Sequence, residues 1–370
     1  MKSTKFLVLA SLLVMGGLPM ARAHAAETSD AKGAVFVMTN AAEDNQIAAY
    51  TRDDDGSLVP SGSYSTGGNG SGGTVDPLHS QGSLRLSADH RLLFAVNAGS
   101  GTVSSFSVDG SALTLVDTKP SGGSSPVAVA PAGDLLYVLN SGGNGNVSGF
   151  RVSEDGRLWP IKNSTRNLSD TSTGATSLAF SPNLQFLVVT ETATNKIDVF
   201  RVLGDGTLSG ISVNASADAV PFAAAFAPDG ALIVAAASNH LSSYEVLHNQ
   251  TLNVVSASLP TLGAATCWDV ITANGRLIYT SNAGSSSISG FEIGRGGALT
   301  PIGATVAGTN PAGSTNLDIA AGARGKFLYT LNTGTGSIGI FSVDRDGALM
   351  GLGAVDGLPV AAGMNGIAAF

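Results

Sequence analysis

The sequence predicts an all-β protein, a seven-bladed β-propeller of four-stranded antiparallel blades. The first observation is a sevenfold repeat of a strand pair: an apolar strand, a short turn, and a following strand that ends on an aromatic residue. These aromatic residues recur at intervals of about 44 to 56 residues, the length of one propeller blade. They are Tyr50, Phe106, Phe150, Phe200, Tyr244, Phe291 and Phe341. The second observation is that helical periodicity is absent, since no helix-length segment is free of glycine or β-branched runs.

Each repeat predicts four strands. In the last full copy they are residues 316–321, 327–332, 337–343 and 348–355. Asp346-Gly347 predicts a hairpin before the fourth strand, because both residue types tolerate positive φ. Equivalent pairs occur at Asp55-Gly56, Asp155-Gly156, Asp205-Gly206 and Gly296-Gly297. The other predicted inner strands are rich in small residues, as expected where strands converge on the axis: 83–87, 126–130, 176–181, 221–226 and 267–272.

The two ends of the repeat array are incomplete in complementary ways. The first copy begins with its second strand, and the chain ends with an inner-strand pattern at residues 365–370. We therefore expect residues 365–370 to complete the first blade. Such a closure would leave only short sheet edges exposed.

The N-terminal residues predict a secretory signal peptide. Lys2 and Lys5 precede a short apolar stretch, and small residues follow at Ala21 and Ala23. This pattern predicts cleavage of residues 1–26, a single propeller domain over residues 33–370, and a bacterial protein located in the periplasm or secreted. No later apolar run is long enough for a transmembrane helix, so we expect no membrane insertion.

Composition narrows the classes of partner. The net charge is −8 at pH 7, and loss of the signal peptide would make the chain more acidic. An acidic surface disfavours nucleic acid, which is bound by clustered Lys and Arg. Cys267 is the only cysteine, so no intramolecular disulfide forms.

Two long units carry a resemblance to a known family: SLAFSPNLQFLVVTETATNKIDVFRVLGDGTL and DVITANGRLIYTSNAGSSSISGFEIGRGGALTPIG. These units resemble the seven-bladed β-propeller lactonase family, which includes 6-phosphogluconolactonase-like and carboxymuconate-cyclase-like proteins. The resemblance covers residues 33–370. It implies a lactonase-like carboxylic ester hydrolase that opens, or closes, a small lactone ring in a polar funnel on one face, and the signal peptide predicts that this enzyme is exported.

Two residues are the candidate catalytic groups. In each blade the inner strand begins, and the strand after it (the second strand) ends, on the same face of the propeller. Residues at these strand ends would therefore surround the funnel. Glu191 replaces the Asn found at this strand end in other blades, and a carboxylate could act as the general base on water. The resemblance supports both Glu191 and His79, which would position or protonate the substrate. The alternatives are a surface ion pair of Glu191 with Lys196 or Arg201, and a loop histidine.

Polar and aromatic residues on the same face are the candidate substrate-binding residues. They are Gln81, Asn97, Asn140, Trp268, Asn282, Asn316, Asn332 and Asn365. The alternative for the asparagines is turn formation, since Asn tolerates left-handed backbone. The alternative for Trp268 is packing between blades. A glycine-rich loop over residues 66–75 is expected to overhang the funnel.

The sequence departs from the family pattern in one place. Many members carry Arg-His at an inner-strand start, whereas this chain has Ala175-Thr176. Without that cation, a phosphorylated lactone would lack its clamp, so we expect an uncharged or weakly charged lactone. No motif predicts a metal site or a cofactor. We expect a monomer whose partner is a small molecule. The alternative function is a non-catalytic propeller that binds a ligand or protein at the same face.

Overall fold

Seven antiparallel sheets follow one another along the chain and form the blades of a propeller. The computed structural model describes Met1 and residues 33–370. The predicted signal peptide therefore lies outside the described residues, except for Met1. The inner strand of each blade contacts the inner strand of the next, so the seven blades form a ring around one axis. The predicted fold class is confirmed.

The strands are numbered in chain order. Blades 1 and 2 contain β1 (Gly33–Met38), β2 (Gln46–Arg52), β3 (Leu58–Ser65), β4 (Leu84–Leu86), β5 (Leu92–Asn97), β6 (Thr102–Asp109) and β7 (Ala112–Pro120). Blades 3 and 4 contain β8 (Pro126–Ala132), β9 (Leu135–Asn140), β10 (Asn146–Val152), β11 (Leu158–Pro160), β12 (Arg166–Asn167), β13 (Ala175–Phe180), β14 (Phe186–Glu191), β15 (Lys196–Arg201) and β16 (Ser212–Ala215). In blade 3 the outer strand is divided, and both β11 and β12 pair with β10.

The remaining blades follow the same order. Blades 5 and 6 contain β17 (Pro221–Phe226), β18 (Leu232–Ala236), β19 (His240–Val246), β20 (Leu252–Pro260), β21 (Thr266–Ile271), β22 (Leu277–Asn282), β23 (Ser287–Ile293) and β24 (Leu299–Thr309). Blade 7 contains β25 (Asn316–Gly322), β26 (Phe327–Asn332), β27 (Ser337–Val343) and β28 (Leu349–Asp356), and β29 (Ile367–Ala369) ends the chain. Two 3-10 turns, Arg295–Gly297 and Ala323–Gly325, are the only helical elements in the described part of the chain.

The last strand closes the ring as the sequence predicts. β29 pairs antiparallel with β1, with Ile367 opposite Val37 and Ala369 opposite Val35. The first blade is thus completed by the C-terminal strand and takes the order β29-β1-β2-β3.

Burial falls from the middle of each blade to its rim. The second strands β1, β9, β14, β22 and β26 are buried at every residue, because neighbouring blades cover both of their faces. Their sequences are therefore continuous apolar runs, without the alternation of apolar and polar residues that a half-exposed strand shows. The outer strands are largely exposed and carry the alternating, polar sequences.

Two inner strands are shorter than predicted, and one of them is β29, which spans only three residues of the predicted 365–370. Residues 83–87 are predicted as the inner strand of blade 2, but β4 spans only Leu84–Leu86. The residues before it turn toward the axis of the ring. The other inner strands of blades 3 to 7 have six or seven residues.

Candidate functional site

The last residue of a second strand usually serves the interior of its own blade. In blade 6, Asn282 donates from Nδ2 to Ser289 Oγ at 2.9 Å. Ser289 Oγ in turn donates to the carbonyl oxygen of Thr261, which precedes the blade, at 2.6 Å. Each such pair ties the second strand, the third strand and the incoming chain together. Four predicted substrate-binding residues occupy this place and are fully buried: Asn97, Asn140, Asn282 and Asn332.

Blade 4 replaces this amide and hydroxyl with two carboxyl groups. Glu191 takes the Asn position at the end of β14, and Asp198 takes the Ser position on β15. Both side chains are fully buried. Glu191 accepts hydrogen bonds from Ser169 N at 3.1 Å, Ser169 Oγ at 2.6 Å and Thr194 Oγ1 at 2.5 Å. Ser169 belongs to the segment that enters blade 4.

The carboxyl group of Asp198 retains its proton at neutral pH. Burial, and then the hydrogen bond and negative charge of Glu191, raise the pKa of Asp198 to about 8. Asp198 is therefore protonated beside Glu191, and its Oδ2 accepts from Ser169 N at 3.1 Å. A buried pair of carboxyl groups with one proton is a common acid–base arrangement in enzymes.

The two cations of the alternative prediction, an ion pair with Glu191, make other contacts. Lys196 Nζ donates to Ser169 Oγ at 3.3 Å, so the ammonium reaches the pair through that hydroxyl. Arg201 stacks over the ring of Phe186, 5.5 Å from its centroid, and hydrogen-bonds His248. Neither cation forms an ion pair with Glu191 in the part of the chain that the structure describes.

Residues 78–83, the axial segment, leave the sheet of blade 2 and fill the axis of the ring. Ser80 Oγ donates to Val127 O of blade 3 at 2.8 Å. Gln81 N donates to Thr176 O of blade 4 at 2.9 Å. Gln81 also bonds Asp269 of blade 6 twice from Nε2, and its Oε1 accepts from Asp269 N at 2.8 Å. Ser80 and Gln81 thus connect opposite sides of the ring.

Two other predicted binding residues support the axial segment, whereas Asn316 lies between blades 6 and 7. Trp268 is 1% exposed and donates from Nε1 to Ser80 O at 2.9 Å. Asn365 accepts from Ser83 Oγ at 2.9 Å and donates to Asp76 at 2.8 Å. Asn316 is buried in blade 7 and donates to Ser281 Oγ at 2.5 Å.

His79 lies at the outer end of the axial segment. Its ring is exposed and meets the edge of Phe222 of blade 5, with the ring centroids 5.0 Å apart. Desolvation lowers the pKa of His79, so the imidazole is neutral at pH 7. Its backbone is left-handed, with φ of 48°, which turns the chain into the axis.

Glu191 and His79 lie on the same face, where inner strands begin and second strands end. Gln81 links them indirectly, because it bonds Thr176, the neighbour of the residue that pairs with Glu191. The described structure shows no direct contact between the two side chains. Ser169 hydrogen-bonds the buried carboxylate of Glu191, whereas His79 is exposed.

The acidic partner of Glu191 and the buried carboxyl groups near the axis were not predicted from the sequence. Asp198 stands in KIDVF where other repeats have Ser, as in TVSSF and SISGF, so the same comparison that singles out Glu191 also reveals it. Asp269 and Asp318 line the axis inside apolar inner strands, and burial raises the pKa of Asp269 to about 7 and that of Asp318 to about 6. No repeat pattern distinguishes these two from ordinary strand residues.

Two negative findings apply to residues 33–370. No group of three or more His, Cys, Asp and Glu side chains is arranged to hold a metal ion. The same residues contain no helix that is long and apolar enough to cross a membrane.

The structure is a closed seven-bladed propeller. Blade 4 differs chemically from the others, because it carries a buried pair of carboxyl groups. The model of a protein family described as lactonase, 7-bladed beta-propeller, matches residues 72–167, which contain the axial segment and blades 2 and 3. The resemblance inferred from the repeats is therefore confirmed. A comparison with curated proteins found no match.

Solved structures of the same fold come from several bacteria. A periplasmic gluconolactonase from Pseudomonas aeruginosa is 18% identical, with a TM-score of 0.67. The alignment covers 91% of this chain and 98% of the gluconolactonase chain. A protein from Bacteroides uniformis, provisionally assigned as a 6-phosphogluconolactonase, is 18% identical, with a TM-score of 0.70 and coverage of 92% and 100%. A protein from Lactobacillus plantarum is 19% identical, with a TM-score of 0.73 and coverage of 92% and 99%. At these identities the likeness shows the fold.

Proposed function

We propose that the protein hydrolyses a small lactone at the face that carries Glu191 and His79. The observation that carries the proposal is the buried Glu191–Asp198 pair, which stands where blades 2, 3 and 6 have an amide and a hydroxyl. The match to the lactonase family model supports the class of reaction. The periplasmic gluconolactonase of the same fold supports it as an analogy.

In the proposed reaction, water adds to the lactone carbonyl and the ring ester bond breaks. Glu191 accepts a proton from the attacking water. Asp198 supplies the proton with which the ring oxygen leaves, Glu191 returns its proton to Asp198, and a hydroxy acid results, while the neutral imidazole of His79 positions the lactone. The Lys196 ammonium, which already donates to Ser169 Oγ, lies near enough to stabilise negative charge at the pair.

The reaction requires access to Glu191. The carboxylate is 0% exposed beneath residues 169–172, of which Asp170, Thr171 and Ser172 are exposed and form no part of a strand. The proposal therefore includes displacement of this short segment when substrate binds.

The proposed substrate is an uncharged or weakly charged lactone. Ala175 and Thr176 occupy the position where many family members carry a cation, and both are buried. We also propose that the protein is exported, because its first residues predict a signal peptide. The gluconolactonase from Pseudomonas aeruginosa is likewise described as periplasmic.

Replacement of the general base tests this function. Glu191→Gln keeps the size and acceptor oxygen of the side chain but removes its basicity. We expect lactone hydrolysis to fall by a factor of about 100 or more, the usual contribution of a general base. Glu292→Gln, the same change on the exposed rim of blade 6, is the matched control and should retain full activity.

The melting temperature of both variants decides whether a loss of rate reflects chemistry. A stable Glu191→Gln protein with unchanged hydrolysis would remove Glu191 from the mechanism.

A second candidate function is non-catalytic ligand or protein binding at the same face. Two observations favour it: Glu191 is buried, and the axial segment fills the centre of the ring. Binding of lactones without turnover would support this function over hydrolysis.

A further inference from the structure

The face opposite Glu191 and His79 contains a cavity that the proposed reaction does not use. It has a volume of about 490 Å³ and lies between the ends of the inner strands of blades 2 to 5. Its walls are mainly apolar and include Pro131, Phe180 and Phe226. Arg85 is the one charged residue that lines it. This size, with apolar walls and one charged group, is typical of small-molecule sites.

The cavity is closed at its inner end. Arg85 belongs to β4, directly after the axial segment, and its guanidinium approaches Gly82. A Cβ placed on Gly82 would lie only 3.1 Å from Arg85 Nε, and the φ of Gly82 is +94°. Gly82 therefore provides both the backbone conformation and the space that let Arg85 lie against the axis. Beyond it, Ser80 and Gln81 fill the ring.

The charge of Arg85 is not balanced by a direct partner. Across residues 33–370 its guanidinium forms no hydrogen bond or ion pair, although it has five N–H donors. Asp269 and Asp318 lie near enough for Arg85 to lower their pKa values, yet burial is the stronger effect and raises both. A half-buried arginine with free donors faces an apolar cavity that opens to solvent.

We propose that this cavity binds a small monocarboxylate with an apolar body. The carboxylate would accept two parallel hydrogen bonds from Arg85, the geometry that a guanidinium fork favours. The apolar body would lie against Phe180, Phe226 and Pro131 and remove their surface from water. This site lies on the other face from Glu191, and the inference does not depend on lactone hydrolysis.

Calorimetric titration of the full chain tests the site, with octanoate as the probe. 1-Octanol has a similar apolar body without the charge, and inorganic phosphate has the charge without the body. We expect octanoate to bind at least tenfold more tightly than either. Arg85→Met should weaken octanoate binding at least tenfold, whereas Arg345→Met, an exposed arginine in the hairpin of blade 7, should leave it unchanged.

A second variant protects the test against misfolding. Ala225→Leu fills the cavity from its wall and leaves Arg85 in place, so it too should weaken octanoate binding at least tenfold. Absence of octanoate binding, or octanoate binding that both Arg85→Met and Ala225→Leu retain, would overturn the proposal. Equal affinity for 1-octanol would remove the role of the charge, and equal affinity for phosphate would remove the role of the apolar body; either result contradicts the site.

Discussion

At the scale of single residues, position 191 shows how one blade departs from a common design. Asn282 illustrates the design, since its amide and the hydroxyl of Ser289 hold three parts of the blade together. Glu191 and Asp198 take the same two positions, but they accept hydrogen bonds from Ser169 and add an ionisable proton. The sequence identifies Glu191 as an exception, but it does not show that the side chain is buried. Burial depends on Ser169, which is distant from Glu191 in the sequence and has no repeat signature.

The raised pKa of Asp198 makes stability depend on pH. The folded-state pKa of Asp198 is raised to about 8, so its stabilising contribution is complete below its unfolded pKa of about 3.9 and is lost as pH rises through about 8. Asp198→Asn keeps a donor to Glu191 without this titration. We expect the wild type to lose on the order of 1–3 kcal/mol more stability than Asp198→Asn between pH 4 and pH 9.

Denaturant unfolding at several pH values measures this difference. Asp54→Asn, a change in an exposed hairpin, is the control and should follow the wild type. Parallel curves for wild type and Asp198→Asn would show that the pair holds no proton at neutral pH. Asp269 and Asp318 titrate in the same direction in all three proteins, so the comparison isolates Asp198.

At the scale of elements, the blades are joined by hydrogen bonds to the hairpin glycines. Tyr137 donates from Oη to Gly206 O at 2.7 Å, and Tyr279 donates to Gly347 O at 2.7 Å. In each case the hydroxyl comes from the preceding blade. The sequence predicts these hairpins as local turns, because Asp-Gly signals a turn. It cannot predict their second role, since the partner blade begins many residues away.

The same bond joins the last blade to the first. Tyr329 of blade 7 is fully buried and donates from Oη to Gly56 O of blade 1 at 3.1 Å. Tyr329→Phe would leave that buried carbonyl without its donor. We expect the free energy of unfolding to fall by about 1–2 kcal/mol, the cost of an unmade buried hydrogen bond.

Tyr64→Phe provides the matched control, because Tyr64 lies on the outer strand of blade 1 and forms no hydrogen bond through its hydroxyl in the described structure. Denaturant unfolding should show little change for Tyr64→Phe. An equally small change for Tyr329→Phe would mean that this hydroxyl does not stabilise the closure.

At the scale of the whole molecule, the repeat predicts the ring but not what fills it. Seven copies and the pattern at residues 365–370 are sufficient to predict the closure that β29 makes. The sequence predicts that the segment HSQGSLRLS begins an inner strand and that its polar residues line the funnel. In the structure those residues cross the axis instead, where Gln81 bonds a blade on the far side. The contacts between Gln81 and Asp269 join residues 188 positions apart in the chain, which no local pattern reveals.

The axial segment also gives the molecule two separate faces. One carries the carboxyl pair and His79, and the other carries the cavity with Arg85. The lactonase proposal therefore depends on the first face alone.

Turnover of a lactone panel by the purified wild-type protein tests the central claim most directly. Acid release would be followed for uncharged, weakly charged and phosphorylated lactones, with ligand-induced melting shifts measured in the same samples. Hydrolysis of at least one uncharged or weakly charged lactone well above the rate without protein is the predicted result. Melting shifts without acid release across the whole panel would contradict hydrolysis and leave a binding protein.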